Sequence, residues 1–332
     1  MKQPALLVTG GAGYIGSHTV RLLAESGEKI IVLDTLELGH REALISPNVE
    51  LVVGDLGDAT VLAKIFGEHE ITAVLHFAAY ALVGESVSEP LKYYQNNFAK
   101  PLVLLEVMKQ HGCGQFIFSS TCATYGNPQF MPMDETHPQN PINPYGASKL
   151  MFERALLDSE SAWGLRTVIL RYFNASGCSP DGLIGEDHMP ETHLIPRALM
   201  AAKGEVGELT VFGTDYPTPD GTCIRDYINV LDLAEAHAAA LAYLRSGNAS
   251  TACNLGTGKG ASVKEIIQLA EEISGLPVPV VYGPRRAGDP PELVGNPAKA
   301  KAVLGWEAKH KDPRDMVQAS WNWLSGPRGG RY

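Results

Sequence analysis

The fold of this 332-residue chain is decided by the stretch Thr9-Gly10-Gly11-Ala12-Gly13-Tyr14-Ile15-Gly16. Its glycines, spaced G-x-x-G-x-x-G, lie between an apolar run at residues 5–9 and a helical pattern at 15–26. Glycine permits a positive φ and lets a pyrophosphate approach the backbone N–H groups at a helix N-terminus. The next predicted strand, 29–34, ends in Asp34, whose carboxylate would accept hydrogen bonds from a ribose and repel a 2′-phosphate. The sequence therefore predicts a dinucleotide site for NAD rather than NADP.

Strand-like and helical patterns alternate through the first half of the chain. The predicted strands continue at 49–53, 73–77, 115–119 and 166–171, and the helices at 59–66, 101–111 and 144–163. This alternation predicts an α/β fold, a Rossmann-like doubly wound parallel sheet, over residues 1–174. Residues 175–332 are richer in Gly, Pro and Asp, which predicts a smaller C-terminal substrate-binding lobe. Segments near 225–256 are expected to return to the first domain.

Composition narrows the class of partner. The net charge of −10 argues against nucleic acid or an anionic membrane surface, because phosphate would be repelled. No stretch of 18 uncharged apolar residues and no secretion signal is seen, so we expect a cytoplasmic location. The five cysteines never form a C-x-x-C pair, so neither a disulfide framework nor a metal site is predicted.

Tyr145 and Lys149 are the candidate chemical groups. Four residues apart on the predicted helix 144–163, they share one face, and a nearby ammonium lowers the pKa of a phenol. Tyr145 would then take a proton from a hydroxyl while a hydride leaves the same carbon for NAD. The Thr121 hydroxyl would complete the group, although several hydroxyls follow the strand at 115–119 and spacing leaves the choice open.

These motifs together are similar to the extended short-chain dehydrogenase/reductase family. The similarity spans nearly the whole chain and is carried by the glycine loop, 119–121, Tyr145-x-x-x-Lys149 and 171–174. Segments 76–79, 83–86, 93–97 and 225–227 resemble its sugar-nucleotide 4-epimerases, as does the discriminating Gly213-Thr214-Asp215-Tyr216-Pro217-Thr218-x-Asp220-Gly221-Thr222.

The resemblance implies residue roles. Thr121, Tyr145 and Lys149 would be the catalytic group. The implied NAD contacts are Gly10, Gly13, Tyr14, Ile15, Gly16, Asp34, Asp55, Leu56, Phe77, Ala78, Ala79, Asn96, Tyr145, Lys149 and Tyr172. The implied UDP-sugar contacts are Thr121, Tyr145, Asn174, His193, Leu194, Val211, Phe212, Arg225, Arg286, Asp289 and Leu293. The two arginines would supply the positive charge that an anionic substrate needs on an acidic protein.

The implied reaction interconverts UDP-galactose and UDP-glucose by transient oxidation at sugar C4 with tightly bound NAD, in a homodimer formed through 90–111 and 144–163. Two departures bear on it: Ala81 stands where relatives often carry Lys, and Leu293 leaves open whether N-acetylhexosamine, pentose or uronate substrates are accepted. Cys122 and Ala123 after Thr121 disfavour a 4,6-dehydratase. A dehydrogenase that releases NADH, or a non-catalytic NAD-sensing regulator on the same fold, stays open.

Overall fold

A seven-stranded parallel sheet forms the centre of the protein, whose computed structural model describes residues 2–286 and 289–332. Its strands are β1 (Pro4–Thr9), β2 (Ile30–Asp34), β3 (Val49–Val53), β4 (Glu70–His76), β5 (Gln115–Thr121), β6 (Arg166–Tyr172) and β11 (Thr251–Leu255). The strand order is β11-β6-β5-β4-β1-β2-β3. Strands such as β2 read as continuous apolar runs because helices cover both faces of the sheet. The predicted doubly wound α/β fold is confirmed.

Helices cover the two faces. They are α1 (Tyr14–Glu25), α2 (Ala59–Glu68), α3 (Val83–Ser88), α4 (Pro90–Tyr94), α5 (Lys100–His111), α6 (Pro144–Trp163), α7 (Leu194–Ala202), α8 (Val230–Arg245), α9 (Val263–Ser274), α10 (Ala298–Leu304) and α11 (Pro313–Ser325). One apolar core joins the sheet to α1 and α8, and a second joins the other face to α2, α5 and α6.

The C-terminal lobe is built on three small sheets. They are β7 (Asn174–Ser176) with β10 (Tyr227–Asn229), β8 (Leu209–Phe212) with β13 (Val280–Gly283), and β9 (Ile224–Arg225) between β12 (Ala261–Ser262) and β14 (Glu292–Leu293). A third core packs α7, α9 and α11 together. The chain between the small sheets returns to the first half, since α8 packs on α1 and β11 pairs with β6.

The structure adds elements that the sequence patterns did not predict. They include α3, α4, α10, α11 and the two-residue strands β9, β12 and β14. The two-residue strands and the shorter helices are too brief to show a hydrophobic period, and distant packing partners fix them instead. The 13-residue α11 is different, because its buried residues do recur at helical spacing: Met316, Val317, Ser320, Trp323 and Leu324. Within the described ranges, no helix has the length and apolar character required to span a bilayer.

Candidate active site

The glycine loop closes tightly over the end of β1. Gly10 has φ +72°, and a Cβ there would lie 2.7 Å from Ala78 Cα and closer still to Ala78 N. Gly13 is the N-cap of α1 and offers no capping side chain. The first-turn N–H groups of α1 are therefore left to an outside acceptor, and the helix dipole favours an anion there. This cradle fits the pyrophosphate of a dinucleotide.

Asp34 ends β2 beside that loop. Its Oδ2 accepts a hydrogen bond from Ala12 N and its Oδ1 one from Leu36 N, both at 2.9 Å. Each carboxylate oxygen has a second lone pair, so the side chain can still accept ribose hydroxyls. The structure thus holds the predicted acid rigidly at the mouth of the glycine loop.

The other residues proposed for NAD follow the carboxyl ends of neighbouring strands, where open α/β sheets bind ligands. Phe77 N and Ala78 N donate to Thr9 O at 2.8 and 3.1 Å, which fixes the chain after β4. Asp55 pairs with Lys100 Nζ, and Tyr172 OH lies 2.6 Å from Ser119 Oγ. Leu56 is buried after β3, Ala79 lies three residues beyond the end of β4, and Asn96 lies on a π-helical turn at Gln95–Ala99.

Two local features bring Tyr145 and Thr121 together. Asn143 Oδ1 caps α6 by accepting Gly146 N at 2.8 Å, which places Tyr145 in the first helical turn. Thr121 ends β5 and caps the 3₁₀ turn Cys122–Thr124. A Cβ at Gly146 would lie 2.9 Å from Ala123 C, so glycine is what permits α6 to approach this turn. Nothing in the local sequence pattern indicates this role of Gly146.

Lys149 lies one turn further along α6. Its Nζ donates to Ser119 O at 2.9 Å and lies 4.9 Å from the Phe118 ring centre. Burial lowers the pKa of Lys149 to about 7. The negative charge of Glu153 opposes this shift, because it raises the same pKa. Burial therefore opposes the charged form, while the hydrogen bond to Ser119 O holds the amino group at the end of β5.

The surroundings of Tyr145 correct one sequence-based expectation. Lys149 was expected to lower the pKa of this phenol, but burial raises the pKa well above its ordinary value, and the adjacent Tyr172 adds to the rise. The Thr121 hydroxyl opposes it through a hydrogen bond. Desolvation wins because the phenol is enclosed, while the Lys149 ammonium is itself largely desolvated and fastened to a carbonyl.

A buried ion pair behind the site was missed by sequence reasoning. Glu153 Oε2 lies 2.6 Å from Arg171 Nη2, and Glu153 Oε1 accepts Arg171 Nε at 3.0 Å and Ser120 Oγ at 2.6 Å. The side chains are only 2% and 7% exposed. The sequence does contain a signal for this ion pair, because Arg171 is a charged residue within an otherwise apolar strand pattern. A buried guanidinium requires a partner of opposite charge.

Several residues proposed for the substrate meet in the small sheets. Arg225 on β9 is paired in register with Leu293 on β14, and its Nη2 lies 2.9 Å from Asp289 Oδ1. Arg286 lies over the Phe212 ring, 4.4 Å from its centre. Asp289 therefore already balances one of the two arginines, which leaves Arg286 as the less compensated charge.

The remaining substrate candidates are spread around this lobe. Asn174 begins β7 and its N–H donates to Asp226 O at 3.0 Å. Val211 is buried within β8. His193 is the N-cap of α7 and Leu194 its first residue. The His193 ring contacts Glu186 and Glu191, and 40% of its side chain stays exposed to solvent.

Comparison with known proteins decides the family. The model of the NAD dependent epimerase/dehydratase family matches residues 6–256. The chain belongs to this family. It is 50% identical to a UDP-glucose 4-epimerase of Halalkalibacterium halodurans over 96% of this chain and 95% of that protein. The resemblance inferred from the motifs is confirmed.

Solved structures agree. The UDP-glucose 4-epimerase from Brucella ovis in complex with NAD has a TM-score of 0.93 and 48% identity, covering 96% of this chain and 97% of that chain. The Bifidobacterium longum enzyme, in complex with NAD+ and UDP, has a TM-score of 0.91 and 39% identity, covering 98% and 99%. The family likeness thus extends through both lobes.

Proposed function

We propose that the chain is an NAD-dependent isomerase, a UDP-glucose 4-epimerase that interconverts UDP-galactose and UDP-glucose. The observation that carries the proposal is the gathering of Thr121, Tyr145 and Lys149 at the carboxyl edge of the sheet, beside the glycine cradle. The full-length similarity to UDP-glucose 4-epimerases supports the same reaction.

Tyr145 is proposed to take the proton of the C4 hydroxyl and later to return it to the same oxygen. Thr121, within hydrogen-bonding reach of the phenol, orients both groups. Lys149 holds its ammonium at the end of β5, where it stabilises a phenolate. When bound, NAD would accept the hydride from C4, return it to the opposite face of that carbon and supply a positive nicotinamide ring. Because burial and the neighbouring Tyr172 raise the pKa of Tyr145 in the protein by itself, we propose that this added charge is required for proton transfer.

We assign the cofactor as NAD because Asp34 would repel a 2′-phosphate. Residues 1–174 form the proposed NAD domain and 175–332 mainly the UDP-sugar lobe. The return of residues near 225–256 is supported by the pairing of β11 with β6 and by the packing of α8 on α1. Substrate would bind between these parts, with Arg286 facing its pyrophosphate.

We also propose a homodimer and a role in cytoplasmic galactose metabolism. Apolar side chains are exposed on the helices expected at the dimer contact: Leu91 at 74%, Leu157 at 44% and Met151 at 42%. An apolar face of this kind favours association with a second copy. The five cysteines are free thiols, which suits a reducing compartment.

The test begins with purified protein, UDP-galactose and no added cofactor, with chromatographic separation of UDP-glucose. The wild-type protein is expected to convert UDP-galactose without added NAD. Tyr145→Phe should lose this activity, and the matched control Tyr282→Phe, in which the replaced residue is 65% exposed, should keep it. Free NADH accumulating in proportion to product would identify a dehydrogenase instead.

The substrate range is tested in parallel. Leu293 packs on the small cluster of Tyr125, Met133 and Phe173, so its bulk is held firmly in place. Absence of conversion of UDP-galactose, even with added NAD, would overturn the main proposal and direct the assay to UDP-N-acetylhexosamines, UDP-pentoses and UDP-uronates. Failure with all of these would favour an NAD-sensing regulator.

A further inference from the structure

Four ligating side chains converge in the segment before α7. They are Glu186, His188, Glu191 and His193, each of which offers one ligand atom within 4.8 Å of the others. The Nδ1 atom of His193 lies 2.7 Å from Glu186 Oε1 and 3.1 Å from Glu191 Oε1. The Nδ1 atom of His188 lies 3.2 Å from Glu186 Oε1 and 3.7 Å from Glu191 Oε2. In the sequence these residues have the spacing E-x-H-x-x-E-x-H, without any cysteine.

Burial makes charge balance necessary here. Glu186 and Glu191 are each only 8% exposed. Two buried carboxylates require compensation, because isolated charge is costly in a medium of low dielectric. Either two imidazolium protons or one divalent cation bound to neutral imidazoles balances them.

Glu186 distinguishes these alternatives. Its Oε1 atom is buried and has no hydrogen-bond partner among the described residues, although it is close to both Nδ1 atoms. The contacts of Glu186 Oε1 thus lack the direction that an imidazolium hydrogen bond requires, whereas His193 Nδ1 does make a hydrogen bond with Glu191 Oε1 at 3.1 Å. A buried carboxylate oxygen without a partner, 3.2 Å from His188 Nδ1 and 2.7 Å from His193 Nδ1, suits a cation shared by these groups.

A cavity of about 20 Å³ is lined by three of the four residues, Glu186, His188 and Glu191, and His193 is not among its described lining residues. This volume accommodates one ion or one water molecule. A zinc ion binds four ligands tetrahedrally at about 2.0–2.2 Å, so ligand atoms stand roughly 3.3–3.6 Å apart. The widest pair, at up to 4.8 Å, would close by about 1.2 Å, and His193 Nδ1 and Glu186 Oε1, now 2.7 Å apart, would separate by about 0.7 Å.

We propose that Glu186, His188, Glu191 and His193 bind one divalent transition-metal cation of the zinc class. Two imidazoles and two carboxylates favour Zn²⁺ over Mg²⁺ or Ca²⁺, which prefer all-oxygen sites. The site lies against the glycine loop, since the His188 ring is 6.2 Å from the Tyr14 ring. The ion would fasten the segment before α7 and fix the His193 ring beside the NAD domain.

Zinc titration of the chelator-treated, dialysed full-length protein, followed by calorimetry, tests the site. We expect one equivalent of Zn²⁺ to bind, and Glu186→Gln and His188→Gln each to weaken binding by at least about tenfold. His69→Gln serves as the control, because His69 also lies beside a carboxylate, 3.6 Å from Glu50, but away from the cluster. Mg²⁺ and Ca²⁺ at the same concentration should not compete.

A second measurement needs no variant. Co²⁺ added to wild-type protein should give the visible absorption of a low-coordinate nitrogen and oxygen site, and Zn²⁺ should displace it. Binding near pH 7 should also release protons from the cluster, seen as a dependence of the heat on the buffer's ionisation enthalpy. Absence of stoichiometric uptake, or uptake that is unchanged in both cluster variants, would overturn the proposal and leave a cluster balanced by protons alone.

Discussion

Arg171→Met tests how the buried ion pair supports the catalytic strands. Arg171 and Glu153 are almost completely enclosed and joined by two direct contacts. Burial acts to lower the pKa of Arg171, but the hydrogen bonds and charge of Glu153 outweigh it and raise the pKa above its ordinary value. Removing the guanidinium leaves the Glu153 carboxylate without its counter-charge.

The expected cost follows from that isolation. Breaking one partner of a buried pair costs about 3–5 kcal/mol, because the remaining charge is uncompensated. For a chain of this size each kcal/mol lowers the melting temperature by roughly 2 °C, so a decrease of about 6–10 °C is expected. In the double variant Arg171→Met with Glu153→Gln the unpaired charge is absent, so it should recover about 2 kcal/mol relative to Arg171→Met.

Thermal and urea unfolding of the NAD-bound protein, followed by tryptophan fluorescence, measures the cost of Arg171→Met and the recovery in the double variant. The wild type, the two single variants and the double variant form one double-mutant cycle. A second readout is the pH dependence of kcat/KM. Since the Glu153 charge raises the pKa of Lys149, Glu153→Gln should move the alkaline limb to lower pH. A cost under about 1 kcal/mol for Arg171→Met, or additive single costs in the double variant, would refute the reasoning.

Three further predictions concern the loop, a buried acid and the dimer. Gly10→Ala should destabilise the protein by at least about 3 kcal/mol and abolish NAD retention, since the new Cβ would clash with Ala78. Gly112→Ala, also at positive φ but in open space, should cost only about 1 kcal/mol and retain NAD. The retained nucleotide is measured by its absorbance after extraction from the purified protein. Burial raises the pKa of Asp226 to about 6, so the folded state binds the extra proton between about pH 4 and 6 and stability falls as pH rises through that window. The melting temperature of the wild type should therefore exceed that of Asp226→Asn by more at pH 4 than at pH 7. The same difference at both pH values would contradict this prediction. Leu91→Glu should yield monomers by light scattering, and an unaltered mass would exclude this face as the dimer contact.

The sequence by itself determined the central architecture. The glycine loop, the alternation of apolar strands with helical periods and the acid at Asp34 required only local chemistry and spacing. The predicted helix 144–163 coincides with α6 because Asn143 and Gly164 cap it within the local sequence. Tyr145 and Lys149 were likewise accessible, since a four-residue spacing on one helix fixes their shared face.

The tertiary structure alone decided which distant groups meet and how their charges balance. Arg225 and Asp289 lie 64 residues apart, and only the small sheet of β9 and β14 brings them into contact. The sign of the Tyr145 pKa shift also depended on the fold, because burial, which no spacing reveals, outweighed the expected influence of Lys149. Local patterns fix elements, but desolvation and charge pairing depend on contacts between elements, and these exist only once the chain has packed.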